Sequence, residues 1–85
     1  MAKYRVFMRQ SAAKTLENLS RKDIRMIVRR LHDLEENPRP AGCEKLSVRE
    51  RYRVRQGDYR IVYSIQDEER TVHVVRIGHR REVYR

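Results

Sequence analysis

Residues 51–66 read RYRVRQGDYRIVYSIQ, and the alternation within them decides the fold. Tyr52 and Val54 alternate with Arg51, Arg53 and Arg55, the period-two pattern of a strand with one apolar and one basic face. Gln56-Gly57-Asp58 supplies turn residues. Tyr59, Ile61, Tyr63 and Ile65 then share one face of a second strand, with Arg60, Val62 and Ser64 opposite. Two such runs across a short glycine turn predict a β-hairpin. Its apolar face needs cover, and its other face carries arginines.

The flanking segments supply the cover. Downstream, TVHVVRI at 71–77 is apolar on both faces and predicts a central strand, ended by Gly78 and preceded by a plain acidic turn, QDEE, at 66–69. Upstream, KYRVFM at 3–8 carries the aromatic and β-branched residues of a first strand. Ser11 is expected to cap a short helix bearing Ala12, Leu16 and Leu19 on one side. Ser20, with Asp23 three residues on, starts a second helix. There Ile24, Ile27, Val28, Leu31 and Leu34 recur at helical spacing. Asn37-Pro38 ends it, because the residue before proline is pushed out of the α region. The order β-α-α-β-β-β predicts an α+β fold: an N-terminal strand and a helical hairpin packed on one face of a small antiparallel sheet, with arginines on the other face. Residues 1–85 are read as one domain, with no repeat or linker and no room for two cores.

Charge narrows the partners. Lys and Arg number 21 against 12 Asp and Glu, a formal +9, and 17 of the 21 are arginine. Such an excess points to a polyanion: nucleic acid, an anionic membrane surface or an acidic protein. Arginine bonds phosphate bidentately and stacks on bases, whereas a membrane-surface protein more often pairs lysine with a strongly amphipathic apolar face. A generic solubilising surface would show the same composition. No apolar run approaches the roughly 18 residues of a membrane helix. Lys3, Arg5 and Arg9 interrupt any signal-like segment after Met1, so a cytoplasmic location is expected. The single cysteine, Cys43, excludes an internal disulfide and offers no ligand cluster. Neither paired carboxylates for two-metal chemistry nor a glycine-rich phosphate loop occurs. No metal or cofactor is expected.

Strand parity puts Arg53 and Arg55 on one face, with Arg60 just beyond the turn. If the tail turns back after Gly78, Arg80 and Tyr84 reach the same patch. Clustered guanidiniums repel one another, but they suit a phosphodiester whose transition state gains negative charge. A nuclease and a passive binding surface both fit this spacing. In metal-free RNA cleavage the 2′-hydroxyl attacks its own phosphorus. Arginine cannot be the base, because its pKa stays above about 12. Tyrosine starts near 10 and falls beside guanidiniums. Tyr84 is therefore the candidate base, with His79 second. Arg60 and Arg80 would hold the phosphate, and Arg53 and Arg55 would position substrate. His73, inside an apolar run, is read as a packed structural histidine and His32 as an exposed helical one. Tyr4, Tyr52, Tyr59 and Tyr63 have the parity of core aromatics.

Together, Lys45-Leu46, the run from Tyr52 to Tyr63 (R-x-G-D-Y-R-x-x-Y within it) and Gly78-His79-Arg80-Arg81-Glu82-Val83-Tyr84 resemble the RelE/ParE toxin superfamily, on its RelE side. The resemblance implies a toxin of a type II toxin–antitoxin pair. RelE-like members enter the ribosomal A site and cleave mRNA without metal, leaving a 2′,3′-cyclic phosphate. The matching positions are Arg53, Arg55, Arg60, Arg80 and Tyr84, with Lys45, His79 and Arg81 as further RNA contacts. The well-studied enzyme has lysines where this chain has Arg53 and Arg55, so a lysine base does not transfer. The family also implies an antitoxin whose helical, often acidic segment wraps the toxin and joins it on operator DNA. Two alternatives stand beside this reading: a ParE-like inhibitor of DNA gyrase on the same fold, and a non-catalytic nucleic-acid-binding module. ParE-like chains tend to lack the set Arg60, Arg80 and Tyr84.

Overall fold

A computed structural model describes residues 3–47 and 50–79. In chain order the elements are β1 (Arg5–Met8), α1 (Gln10–Glu17), α2 (Arg21–Glu36), β2 (Glu44–Lys45), β3 (Arg51–Gln56), β4 (Tyr59–Gln66) and β5 (Thr71–His79). They form one sheet in the order β1-β5-β4-β3-β2. The expected β-α-α-β-β-β succession is present, with a two-residue strand, β2, added on the edge beside β3. The sheet is mixed rather than wholly antiparallel, because β1 runs parallel to β5, from Arg5 opposite Thr71 to Met8 opposite Val74. The helical hairpin carries the chain from one edge of the sheet to the other. Strands joined by such a long crossover can run the same way, so β1, β3 and β5 share a direction.

Local chemistry explains the helix ends. Ser20 caps α2 as expected, its Oγ accepting from the Asp23 backbone N–H at 3.1 Å. Ser11 caps nothing. Helix α1 begins at Gln10 behind Arg9, which makes no side-chain cap. The Arg9 N–H still donates to Val74 O in the sheet, at 2.9 Å, so the chain passes from strand to helix with no spare residue for a capping serine. Ser11 lies in the first turn, where its carbonyl accepts from Thr15 Oγ1. On α2, Ile27, Leu31 and Leu34 are buried, while Ile24 and Val28 are half-buried. These three pack with Ala12 of α1 and with Tyr52, Val54, Ile61, Tyr63, Ile65, Val72, Val74 and Ile77 of the sheet in one core. Burial of each large side chain contributes about 1.5–3 kcal/mol. No helix among the described residues is long and apolar enough to cross a membrane.

The core tyrosines find partners for their hydroxyls, as buried phenols must. Tyr63, fully buried, donates to Pro38 O at 2.7 Å, and burial pushes its phenol above the ordinary value. The stretch expected to be a plain acidic turn carries a tie. Asp67 accepts two bonds from Arg39, at 3.1 and 2.8 Å, and one from Tyr4 Oη at 2.6 Å. Arg39 also lies 5.2 Å over the Tyr52 ring. The residue preceding β1, the loop leaving α2 and the β4–β5 turn are thereby joined at one carboxylate. The Arg39 bond, then the Tyr4 bond, holds that carboxyl down at about 2.

Candidate nucleic-acid interface

Register builds the face turned away from the helices. Gly57 and Asp58 form the two-residue turn between Gln56 and Tyr59, with Gly57 at φ +60°, as such hairpins demand. This short turn sets Arg55 directly opposite Arg60, and Arg60 opposite Gly78. Gly78 therefore continues β5 rather than ending it. One row along, Glu44, Arg53, Val62 and Arg76 lie side by side. Two residues further, Arg51, Ser64, His73 and Phe7 make a third row.

Arg76 reaches this face through an irregularity. Val62 pairs with Arg76, but Tyr63 pairs with Val74, so Val75 is an extra residue in β5. Such a bulge reverses the alternation beyond it. Without it, His73 and Arg76 would face opposite ways. His73 is exposed and stacks on Phe7, with ring centroids 5.3 Å apart and planes 22° apart. The reading of His73 as a packed core histidine is thus corrected, because its partner strand presents the open side of the sheet at that position.

The electrostatics centre on one carboxylate. Arg53 Nη2 bonds Glu44 Oε1 at 2.9 Å. The Glu44 carboxyl lies below its ordinary value, chiefly through the bond and charge of Arg53 and further through Arg55 and Arg60. Three guanidiniums therefore act on one anion. Arg60 is 5% exposed, with Nη1 donating to Tyr59 O at 3.1 Å and Gly57 O at 3.4 Å. Those carbonyls of the turn anchor a partly desolvated cation. Arg55 is exposed, its backbone tied to α2 by Arg30 Nη2 at 2.9 Å. An oxyanion placed here would meet charge-assisted donors, the strong class of hydrogen bond.

The other sequence candidates fall elsewhere. Lys45 sits opposite Tyr52, not Arg53, and its ammonium pairs with Glu50 at 3.2 Å. His79 sits opposite Tyr59, which packs against the core, and meets that ring edge-on at 5.8 Å. The structure does not bring either of them to the arginine face. Arg80, Arg81 and Tyr84 lie outside the described residues. Sequence reasoning passed over Glu44 and Arg76. Glu44 lies on a strand only two residues long, too short to leave a sequence pattern, and nothing in the sequence marks the bulge that turns Arg76. Among the described residues, no three His, Cys, Asp or Glu side chains gather where they could hold a metal ion.

A family profile described as "ParE toxin of type II toxin-antitoxin system, parDE" matches residues 6–84. The chain belongs to this family. It is a toxin of a type II toxin–antitoxin system on the RelE/ParE fold. Solved structures agree. The archaeal RelE of the RelE–RelB complex from Pyrococcus horikoshii OT3 is 28% identical with a TM-score of 0.84, over 94% of this chain and 97% of that one. The toxin–antitoxin complex RelBE2 from Mycobacterium tuberculosis matches at 28% identity and a TM-score of 0.80, over 91% and 98%. The isolated E. coli RelE toxin matches at 26% and 0.80, over 95% and 90%. No curated protein sequence matches this toxin.

Proposed function

We propose that this toxin is a ribosome-dependent mRNA endoribonuclease that cleaves in the A site and so inhibits translation. The observation that carries the proposal is the cross-strand pair Arg55–Arg60, flanked by Arg53, with all three guanidiniums acting on the Glu44 carboxylate. That carboxylate occupies a place a phosphate would contest. In the reaction the 2′-hydroxyl oxygen attacks the adjacent phosphorus and gives up its proton to a base. The bond from phosphorus to the 5′-oxygen breaks, and the departing oxygen takes a proton. The products are a 2′,3′-cyclic phosphate and a 5′-hydroxyl. Arg60 holds the scissile phosphate and its growing charge, and Arg53 and Arg55 position the strand. Tyr84 is the proposed base and Arg80 a further phosphate ligand, on the sequence pattern alone. Arg81 is assigned to the RNA on the same pattern. The placement of His79 against Tyr59 favours Tyr84 over it. The rest of the reading is one toxin domain over 1–85, acting in the cytoplasm without metal or cofactor. Its partner is a cognate antitoxin, with which it reaches operator DNA. The complexes from P. horikoshii and M. tuberculosis support that partner.

The test is a programmed ribosome carrying mRNA with a single 2′-deoxynucleotide at the cut position. The proposal expects cleavage of all-ribose mRNA and none of the substituted strand, with Tyr84→Phe depressing the rate on the former. Cleavage of the 2′-deoxy strand at an equal rate would refute attack by the 2′-hydroxyl. The family profile bears the ParE name, so a supercoiling assay with DNA gyrase is run beside it. Inhibition of gyrase with mRNA left intact would select the alternative reading.

A further inference from the structure

We propose that Phe7 and His73 form a stacking platform for an unpaired RNA base a few nucleotides from the phosphate held by Arg60. This rests on the RNA reading above. Phe7 is 44% exposed on a strand, one of two large hydrophobic side chains so exposed among the described residues. It is not a loose apolar residue. Its ring lies 22° from the plane of His73, and the Arg5 guanidinium sits 5.6 Å from its centroid. An exposed aromatic pair with a guanidinium over one ring suits a nucleobase, since every base offers a π-face.

The surroundings fit a strand of nucleic acid. Phe7 and His73 border an open groove of about 640 Å³ that also meets Arg9, Arg51, Ser64 and Gln66. Arg9 and Arg51 form no ion pair among the described residues, which leaves their charge for phosphates. The one carboxylate on the groove, Glu50, is already paired with Lys45. Ser64 and Gln66 offer neutral groups to a base edge. Arg51 of the groove lies two residues from Arg53 on the same face of β3. From Ser64, beside His73, to Arg60 is four residues along β4, roughly 13 Å at the rise of a strand. A single-stranded RNA could thus lie across the sheet with its phosphate in the cluster and a base on Phe7. Exposed aromatics on a sheet face are a recurrent means of holding unstacked bases.

The experiment measures binding of the full-length protein to a fluorescent, uncleavable 2′-O-methyl RNA oligonucleotide by anisotropy across a salt series. Phe7→Ala should weaken binding roughly five- to hundredfold, the worth of one stacked base. Phe7→Trp should match or exceed the wild type, and His73→Ala should fall between. Because no phosphate contact is lost, the salt slope of Phe7→Ala should equal that of the wild type. That of Arg55→Gln should be shallower by about 0.7. Wild-type affinity in Phe7→Ala overturns the platform, and does so even if that variant loses its hold on an antitoxin, which would make the surface a protein contact. A wild type that binds no RNA overturns the platform together with the RNA reading. Weakened Phe7→Ala beside an unaffected Arg55→Gln supports the platform and refutes the arginine cluster as the phosphate site.

Discussion

Replacing Arg55 by glutamine should stabilise the protein while it cripples the activity. Arg55 and Arg60 are cross-strand partners on one face, and Arg60 is almost fully buried. Like charges directly opposite on a sheet destabilise by about 0.2–1 kcal/mol. The Glu44 carboxylate offsets part of this, but it is bonded to Arg53 rather than Arg55. Glutamine keeps the length and the strand, and it removes the repulsion. A domain of this size gains about 4–8 °C in Tm per kcal/mol, so the expected rise is about 1–8 °C at low salt. It should shrink toward zero in about 1 M salt, where the screening length falls to about 3 Å. The same change removes a charged donor to phosphate worth about 1.5–3 kcal/mol. At 1.4 kcal/mol per decade, kcat/KM for ribosome-dependent cleavage should drop by roughly ten- to hundredfold. Calorimetry and a cleavage time course read the two effects. A fall in Tm of several degrees would show that Arg55 serves the fold, and unchanged cleavage would remove the cluster from the phosphate site.

Other substitutions test the frame. Leu34→Ala empties a fully buried position and should cost about 2–5 kcal/mol in urea unfolding. Ser20→Ala removes the α2 cap and should cost about 1 kcal/mol, whereas Ser20→Gly should cost only a few tenths. Asp67 titrates at about 2 in the folded protein against about 3.9 unfolded. Its lowered folded value makes its contribution complete above pH 4 and lost as pH falls toward 2. Tm measured against pH should therefore fall more steeply between pH 4 and 2 in the wild type than in Asp67→Asn.

The strand-turn-strand at 51–66 was legible because alternation, turn chemistry and charge all agree there, and the stripe on α2 was legible for the same reason. What escaped the sequence were features set by pairing. Parallel alignment of β1 depends on which edge it reaches, which no residue within Lys3–Met8 encodes. The extra Val75 is an ordinary valine in a valine-rich run, yet it inverts the side on which Arg76 emerges. His73 looked internal because its neighbours are apolar, but it is exposed and stacks on Phe7 on the face away from the helices. Gly78 looked like a breaker and instead lies within β5, paired with Arg60. Of the site, Arg53, Arg55 and Arg60 were readable from parity alone, while Glu44 required knowledge of a strand only two residues long.

The most direct test of the central claim maps mRNA 5′ ends after incubation of the purified protein with message, with and without ribosomes. The account predicts cuts between A-site nucleotides that appear only with ribosomes and disappear in Arg60→Ala and Arg80→Ala. Message left intact in both arms, with gyrase supercoiling blocked by the same preparation, would contradict it.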